Sequence, residues 1–336
     1  MCIPRLLRSW RTVFLAIAAI ASTGAALPAL ASPPAQAGAW PTKAIRFIVA
    51  APGGSSLDVI ARLLADRLRE RLGQPLIVDN IPGASGTIAT TTAAKAAPDG
   101  QTILLSYNGP LASTQFLTRL PYQPLKDLSP VVLTSSQPNV LAVNPGVPAR
   151  NVAELIAYLK KNPGKLNYAS VGNGSSSHLT MELFKNMTGT FVVHIPYNGA
   201  PPAATSLIAG DTQMLFSVPS AIVPHAKSGK ARILAVSGAT RFSLLPDTPT
   251  LAESGLLGFE SLAWNGVLVP AGTSPEIIQR LNREINAILA MPDVKARLHN
   301  VALEPAGGTP EAFGAWMGAE AKKWQEVVRR TGATLD

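Results

Sequence analysis

From Trp40 onward, short apolar runs alternate with longer amphipathic stretches. AIRFIVA (44–50) is almost continuously apolar, the pattern of a strand covered on both faces. PGGSS follows, then LDVIARLLADRLRERLG, where Leu57, Ile60, Leu64, Leu68 and Leu72 recur at helical spacing. Ser56 reads as the N-cap of this helix and Gly73 as its stop. PLIVDN predicts a second strand and PGASGTIATTTAAKAA a second helix. PDG then marks a turn before a third strand, QTILLSY, and its loop NGP.

Around 131–144 the pattern changes. VVLTSSQPNVLAVNP is extended without a long helix, as a segment crossing between domains would be. A new series begins at NVAELIAYLKKNPGK, where Asn151 and Glu154 form a variant capping box. LNYAS, SSHLTMELFKNMTG, FVVHIP, TQMLFSV, a helix around PSAIVPHAKSGK, and ARILAVSG continue it. GFESLAWNGVLVPAG is extended again and suits a return crossing, and the remainder is mostly helical. Two α/β units are therefore predicted, each a sheet sandwiched by helices, with 40–138 plus 264–336 forming one domain and 139–263 the other. Each carries a Gly/Ser loop between an early strand and helix, PGGSS (52–56) and GNGSSS (172–177), placed where ligands of open α/β sheets bind.

The residues ahead of Trp40 read as an export leader. Arg5, Arg8 and Arg11 precede the apolar run Val13–Ile20, and small-residue cleavage sites end at Ala31 and at Ala37. The run is short for an uncleaved anchor and is broken by Ser22, Thr23 and Gly24. Cys2, the single cysteine, leaves with the leader, so disulfides and thiol chemistry are excluded from a mature chain of about 299 residues. Taking the three leader arginines from the formal charge of +9 leaves +6. The basic residues are scattered and aromatics are few, which argues against a nucleic-acid groove and for a mild field favouring small anions.

The residue types of the loop NYASVGNGSSSH (167–178) allow several chemistries. It lacks the lysine of a phosphate-binding P-loop. As a dinucleotide fingerprint it keeps Gly172 and Gly174, but Ser177 stands at the third glycine and His194 where an acid is needed. As a nucleophile elbow it has no closing glycine and no late triad histidine in the expected place. No metal-ligand spacing occurs, so neither a metal nor another cofactor is expected. Direct anion capture remains: free N–H groups at a helix start, glycines permitting close approach, and serine hydroxyls as donors. One such loop is adequately explained as a cap, whereas two in matching positions of two domains point to a ligand held between them.

The blocks WPTKAIRFIVAAPGGSSLDVIARLLADRLRERLGQP, KAAPDGQTILLS, LPYQPLKDLSPV, PGKLNYASVGNGSSSHL, VVHIPYNGAPPA, LLPDTPTLAESG and VLVPAGT, in that order, resemble the Bug family, the periplasmic solute-binding receptors of tripartite tricarboxylate transporters. The resemblance runs from Trp40 to Asp336. It implies a periplasmic-binding-protein (Venus flytrap) fold that closes over a small dicarboxylate, tricarboxylate, amino acid or aromatic acid, with no enzymatic activity and with membrane transporter subunits as partners. It also implies carboxylate binding by the two Gly/Ser loops, with waters assisting, in a monomer located in the periplasm. Two departures stand out. Ser55, Ser56 and Leu57 intervene before Asp58 where many members carry a shorter spacing, and Ser217 occupies a position that is acidic or amide in many of them.

On this basis the expected ligand-binding residues are Gly54, Ser55, Ser56, Ser85 and Asn108 in the first domain. In the second they are Gly172, Asn173, Ser175, Ser176, Asn198 and Ser217, with Tyr107 and Trp264 as aromatic walls. His178 is expected to pack or cap, and Asp58 to favour its own helix start rather than touch an anion. A ligand sensor working with a sensor kinase is the alternative role, and an exported serine hydrolase the remote one.

Overall fold

The computed structural model describes residues 40–332; the expected leader (1–37) lies outside them. The chain runs β1 (Ile45–Val49), α1 (Ser56–Leu72), β2 (Leu76–Asn80), α2 (Thr87–Ala94), β3 (Thr102–Tyr107), α3 (Pro124–Asp127) and β4 (Leu128–Pro138). It continues through β5 (Val140–Val143), α4 (Val152–Lys161), β6 (Asn167–Ser170), α5 (Ser176–Thr188), β7 (Val193–Pro196), α6 (Ala200–Ala209), β8 (Met214–Ser217), α7 (Pro219–Lys227) and β9 (Arg232–Val236). β10 (Leu262–Pro270), α8 (Pro275–Leu289), α9 (Pro292–Asn300), β11 (Glu304–Pro305) and α10 (Pro310–Thr331) complete it.

The strands form two mixed sheets, ordered β11-β4-β10-β3-β1-β2 and β7-β6-β8-β5-β9. In the first, β1 runs parallel to β2 and β3, while β10 is antiparallel to β3 and β4. In the second, β6 runs parallel to β7 and β8, while β5 is antiparallel to β8 and β9. Strand residues alternate between the two faces as a pleated backbone requires. Phe47 and Val49 of β1 join a core with α1 and α8, whereas Ile48 joins Phe313, Met317 and Trp324 of α10 on the other face. The second sheet repeats the arrangement, with Leu141 of β5 facing α4 and α5, and Ala142 facing α6 and α7.

Local signals fixed most helix ends. Gly73 closes α1 at φ 73°, and the Asn151 side chain accepts from Glu154 N–H at 2.8 Å as the capping pattern predicts. The start of α1 differs from expectation by one position: Ser55, not Ser56, is the N-cap. That shift leaves Ser56 as the first helical residue, with its hydroxyl outside the cap.

Between the sheets the chain crosses once at Asn139 and returns between β9 and β10. The crossings are stitched together. Asn139 N–H donates to Ser237 Oγ, and Ser237 N–H donates to the Asn139 carbonyl, both at 2.8 Å. Ser261 N–H donates to the Ser237 carbonyl at 2.8 Å.

Candidate functional site

The two Gly/Ser loops fold into the same turn. Gly54 and Gly174 take φ 80° and 72°, a region that favours glycine because a Cβ would meet the following carbonyl. The next serines are extended, Ser55 at φ −72°, ψ 166° and Ser175 at φ −68°, ψ 161°. Ser55 N–H donates to Pro52 O at 3.3 Å and Ser175 N–H to Gly172 O at 3.2 Å. Each serine Oγ accepts the N–H three residues on, Asp58 and His178 respectively, at 3.3 Å. Each glycine N–H is accepted by the side chain four residues on: Asp58 Oδ2 at 2.8 Å in one loop, His178 Nδ1 at 3.1 Å in the other. A carboxylate and an imidazole thus do the same job. The N–H groups of Ser56 and Leu57, and of Ser176 and Ser177, stay outside these bonds, as the first turn of any helix leaves them.

Both turns open on one chamber of about 400 Å³ between the sheets. Ser56, Ser85, Tyr107, Asn108 and Gln137 line it from the first-sheet side, and Val171, Gly174, Ser175, Ser176 and Val218 from the second. Ala263 and Asn265 of β10 complete it, and no side chain in the lining is charged. Burial pushes the Tyr107 phenol up, so it remains a neutral hydroxyl. An outer space of about 490 Å³ shares Ser85 and Val171 and adds Gly172, Asn173, Tyr197 and Asn198; Arg119 is its one charged lining residue.

Ser85 lies in a run of positive φ. Gly83, Ala84, Ser85 and Gly86 stand at 116°, 44°, 49° and 80°, and two of them carry a Cβ. Left-handed conformations cost an ordinary residue about 1–2 kcal/mol, and such strain collects at ligand-facing turns.

The expected residues fall into three groups. Ser56, Ser85, Asn108, Ser175 and Ser176 line the inner chamber, and Gly172, Asn173 and Asn198 the outer space. Gly54 and Ser55 stand behind the first turn as cap partners. Ser217 and Trp264, like Gly54 and Ser55, line neither space. Ser217 is buried at the end of β8, although the next residue, Val218, does reach it. Trp264 is fully buried against Phe313, with its indole N–H donating to Glu320 at 3.1 Å. Strand alternation sends Trp264 into the core and its neighbours Ala263 and Asn265 to the chamber.

Ser175 is occupied by its own loop. Its Oγ donates to Gly172 O at 2.6 Å while accepting from His178 N–H. Ser176 Oγ accepts from Asn139 Nδ2 at 2.7 Å, which leaves its own proton free to donate. Asn139, Gln137, Asn265 and Arg119 were not expected from sequence; each is a single polar residue in a strand or loop with no motif around it.

Behind the second loop lies a polar stack. The His178 and His194 rings are 4.3 Å apart and nearly parallel, and His194 stacks on Tyr168 at 4.7 Å. His194 Nε2 bonds Ser170 Oγ at 2.6 Å, and that hydroxyl accepts Gly172 N–H at 3.1 Å. Tyr168 and Lys185 both donate to Glu182 Oε1. Burial lowers both imidazoles. His178 feels the opposing Glu182 charge, and His194, facing His178 and Lys185, is pushed to about 3. On the other loop, burial alone would raise the Asp58 carboxyl, but Arg62, the Gly54 N–H and Asn80 together hold it below its usual range.

Comparison with known proteins places these features. Residues 60–333 match the family model described as "Tripartite tricarboxylate transporter family receptor". The chain is 38% identical over 325 residues to Protein BugT of Bordetella pertussis, covering 96% of each. It is similar to R. palustris Rpa4515 solved with adipate, at 35% identity and a TM-score of 0.79, covering 88% of this chain and 99% of that one. It is also similar to MatC from Rhodopseudomonas palustris with bound malate, at 30% identity and a TM-score of 0.75, covering 86% and 99%.

Proposed function

Because the chain belongs to the tripartite tricarboxylate transporter receptor family, whose members are periplasmic solute-binding receptors and not enzymes, we propose that it captures a small carboxylate in the inner chamber for a membrane transporter. The observation that carries this reading is the pair of matched Gly-Ser-Ser turns facing one chamber with no charged lining. A carboxylate is held there by the N–H groups of Ser56, Leu57, Ser176 and Ser177, by the Ser56 and Ser176 hydroxyls, and by bridging water. Two helix starts contribute partial positive charge without a counter-ion that would have to be stripped of water. The adipate and malate held by the two relatives agree with a small acid as ligand.

In this reading 40–138 plus 264–336 form one lobe and 139–263 the other. They close about the stitched crossings at Asn139, Ser237 and Ser261. Open and closed forms exchange, and the ligand favours the closed form by touching both lobes at once. Arg119, at the outer space, draws anions toward the mouth. The receptor is exported by its leader, which is then cleaved, and works as a monomer.

Calorimetry and thermal shift against straight-chain, branched and aromatic carboxylates test the proposal. The expected result is saturable binding of at least one acid, with a raised melting temperature. Absence of any heat or shift across the set at millimolar concentration would overturn it.

A further inference from the structure

Two amides in the inner chamber are left over by everything described so far. Asn108 follows β3 and Gln137 lies near the end of β4; they are 2% and 6% exposed. Asn108 Nδ2 and Gln137 Oε1 are both shielded from solvent and have no hydrogen-bond partner. One is a donor and one an acceptor. Gln137 pairs across the sheet with Ala263, which also lines the chamber, so the amide is anchored on regular β-structure rather than on a loop.

A carboxylate satisfies only half of this pair, because it accepts and does not donate. An ammonium satisfies the other half, because it donates and does not accept. It would also bring a positive charge to a chamber in which no lining side chain is acidic. A hydroxyl does both: it accepts from Asn108 and donates to Gln137. A carboxamide has the same dual chemistry.

Resting on the reading of the chamber as a carboxylate site, we propose that Asn108 and Gln137 select a ligand bearing a neutral hydroxyl or carboxamide substituent. The receptor then prefers a hydroxylated acid to both the unsubstituted acid and the amino acid of the same carbon skeleton. The two helix starts hold the carboxylate and the amide pair reads the substituent. Selectivity arises because a buried polar group built to be paired penalises the ligand that leaves it unpaired.

The experiment is calorimetry on the purified protein with matched trios: propionate, lactate and alanine; succinate, malate and aspartate; glutarate, 2-hydroxyglutarate and glutamate. In the best-bound trio the hydroxy acid is expected to bind about tenfold or more tighter than the parent, and the amino acid weaker than the hydroxy acid. Gln137→Met keeps the volume and removes both polar atoms. It is expected to bring hydroxy and parent acids within about twofold of each other while the parent still binds. Asn108→Leu is the second variant, and circular dichroism with the melting temperature reports whether each folds. If the wild type binds parent and hydroxy acids alike, water serves the amides and the inference falls while the carboxylate reading stands. A preference that survives in a folded Gln137→Met or Asn108→Leu variant also overturns it. If no member of any trio, nor any other carboxylate, binds the wild type, the carboxylate reading fails and takes the inference with it.

Discussion

Adjacent serines in the second loop have different work. Ser175 is a cap whose hydroxyl is fully engaged by Gly172 O and His178 N–H, whereas Ser176 has a proton to offer the chamber. Ser175→Ala is therefore expected to destabilise the fold by about 1 kcal/mol, the usual cost of losing a serine cap. Ser176→Ala is expected to weaken ligand binding by about 1 kcal/mol with a smaller effect on stability. Urea denaturation and calorimetry on both variants separate the two effects; equal losses of affinity with unchanged stability would contradict the division. The sequence placed these residues in a Gly/Ser turn ahead of a helix but did not say which serine does what. That distinction depends on a one-residue cap register, the same uncertainty that put the α1 cap at Ser56 instead of Ser55. Asn108 was legible because it follows an apolar strand into a loop. Gln137 was not, because a glutamine inside VVLTSSQPNVLAV carries no signal until strand pairing sets it opposite Ala263.

Among the elements, α5 and the crossing strands are joined more tightly than chain order suggests. Asn139 Nδ2 donates to Ser176 Oγ at 2.7 Å and to Thr180 Oγ1 at 3.2 Å, and Thr180 in turn bonds Ser261 Oγ at 2.6 Å. One amide therefore ties the crossing between the sheets to the hydroxyl that faces the chamber. Asn139→Ala is expected to cost about 1–3 kcal/mol of stability, since it leaves the buried Thr180 hydroxyl and the half-buried Ser176 hydroxyl without their donor. It should also weaken ligand binding without altering any residue of the chamber lining. A ligand affinity equal to wild type in a destabilised variant would show that the link is structural alone. Element types and order followed from hydrophobic period, including both extended crossings and the helical C-terminal part. The face of β10 did not. Leu262–Pro270 is largely apolar and buried on both faces, with Asn265 as its one polar side chain, and the sequence reading put Trp264 rather than its neighbours at the chamber. Packing against Phe313 and the bond to Glu320 decided it. Trp264 fluorescence is accordingly no direct reporter of ligand contact.

For the molecule as a whole, the buried His178 and half-buried His194 bear on how stability responds to acid. His178 and His194 are each lowered by burial, and among the groups facing them Glu182 opposes the shift for His178 while Lys185 adds to it for both. In the unfolded chain both take a proton near pH 6.5. In the folded chain His194 stays neutral down to about 3. Between those values the unfolded state binds more protons, so folding stability falls as pH falls. Below the ordinary carboxylate range Asp58 and Glu284, both held low in the fold by arginines, extend the loss in the same direction. Protonating His178 Nδ1 would also remove the acceptor of Gly174 N–H and loosen the turn that presents Ser176. Denaturation of the ligand-free protein is therefore expected to show falling stability from pH 7 to pH 4.5, with the paired His178→Asn, His194→Gln variant flatter over that window. Asparagine and glutamine keep a neutral acceptor near each position and cannot titrate, so a variant as pH-sensitive as the wild type would assign the acid response to other groups.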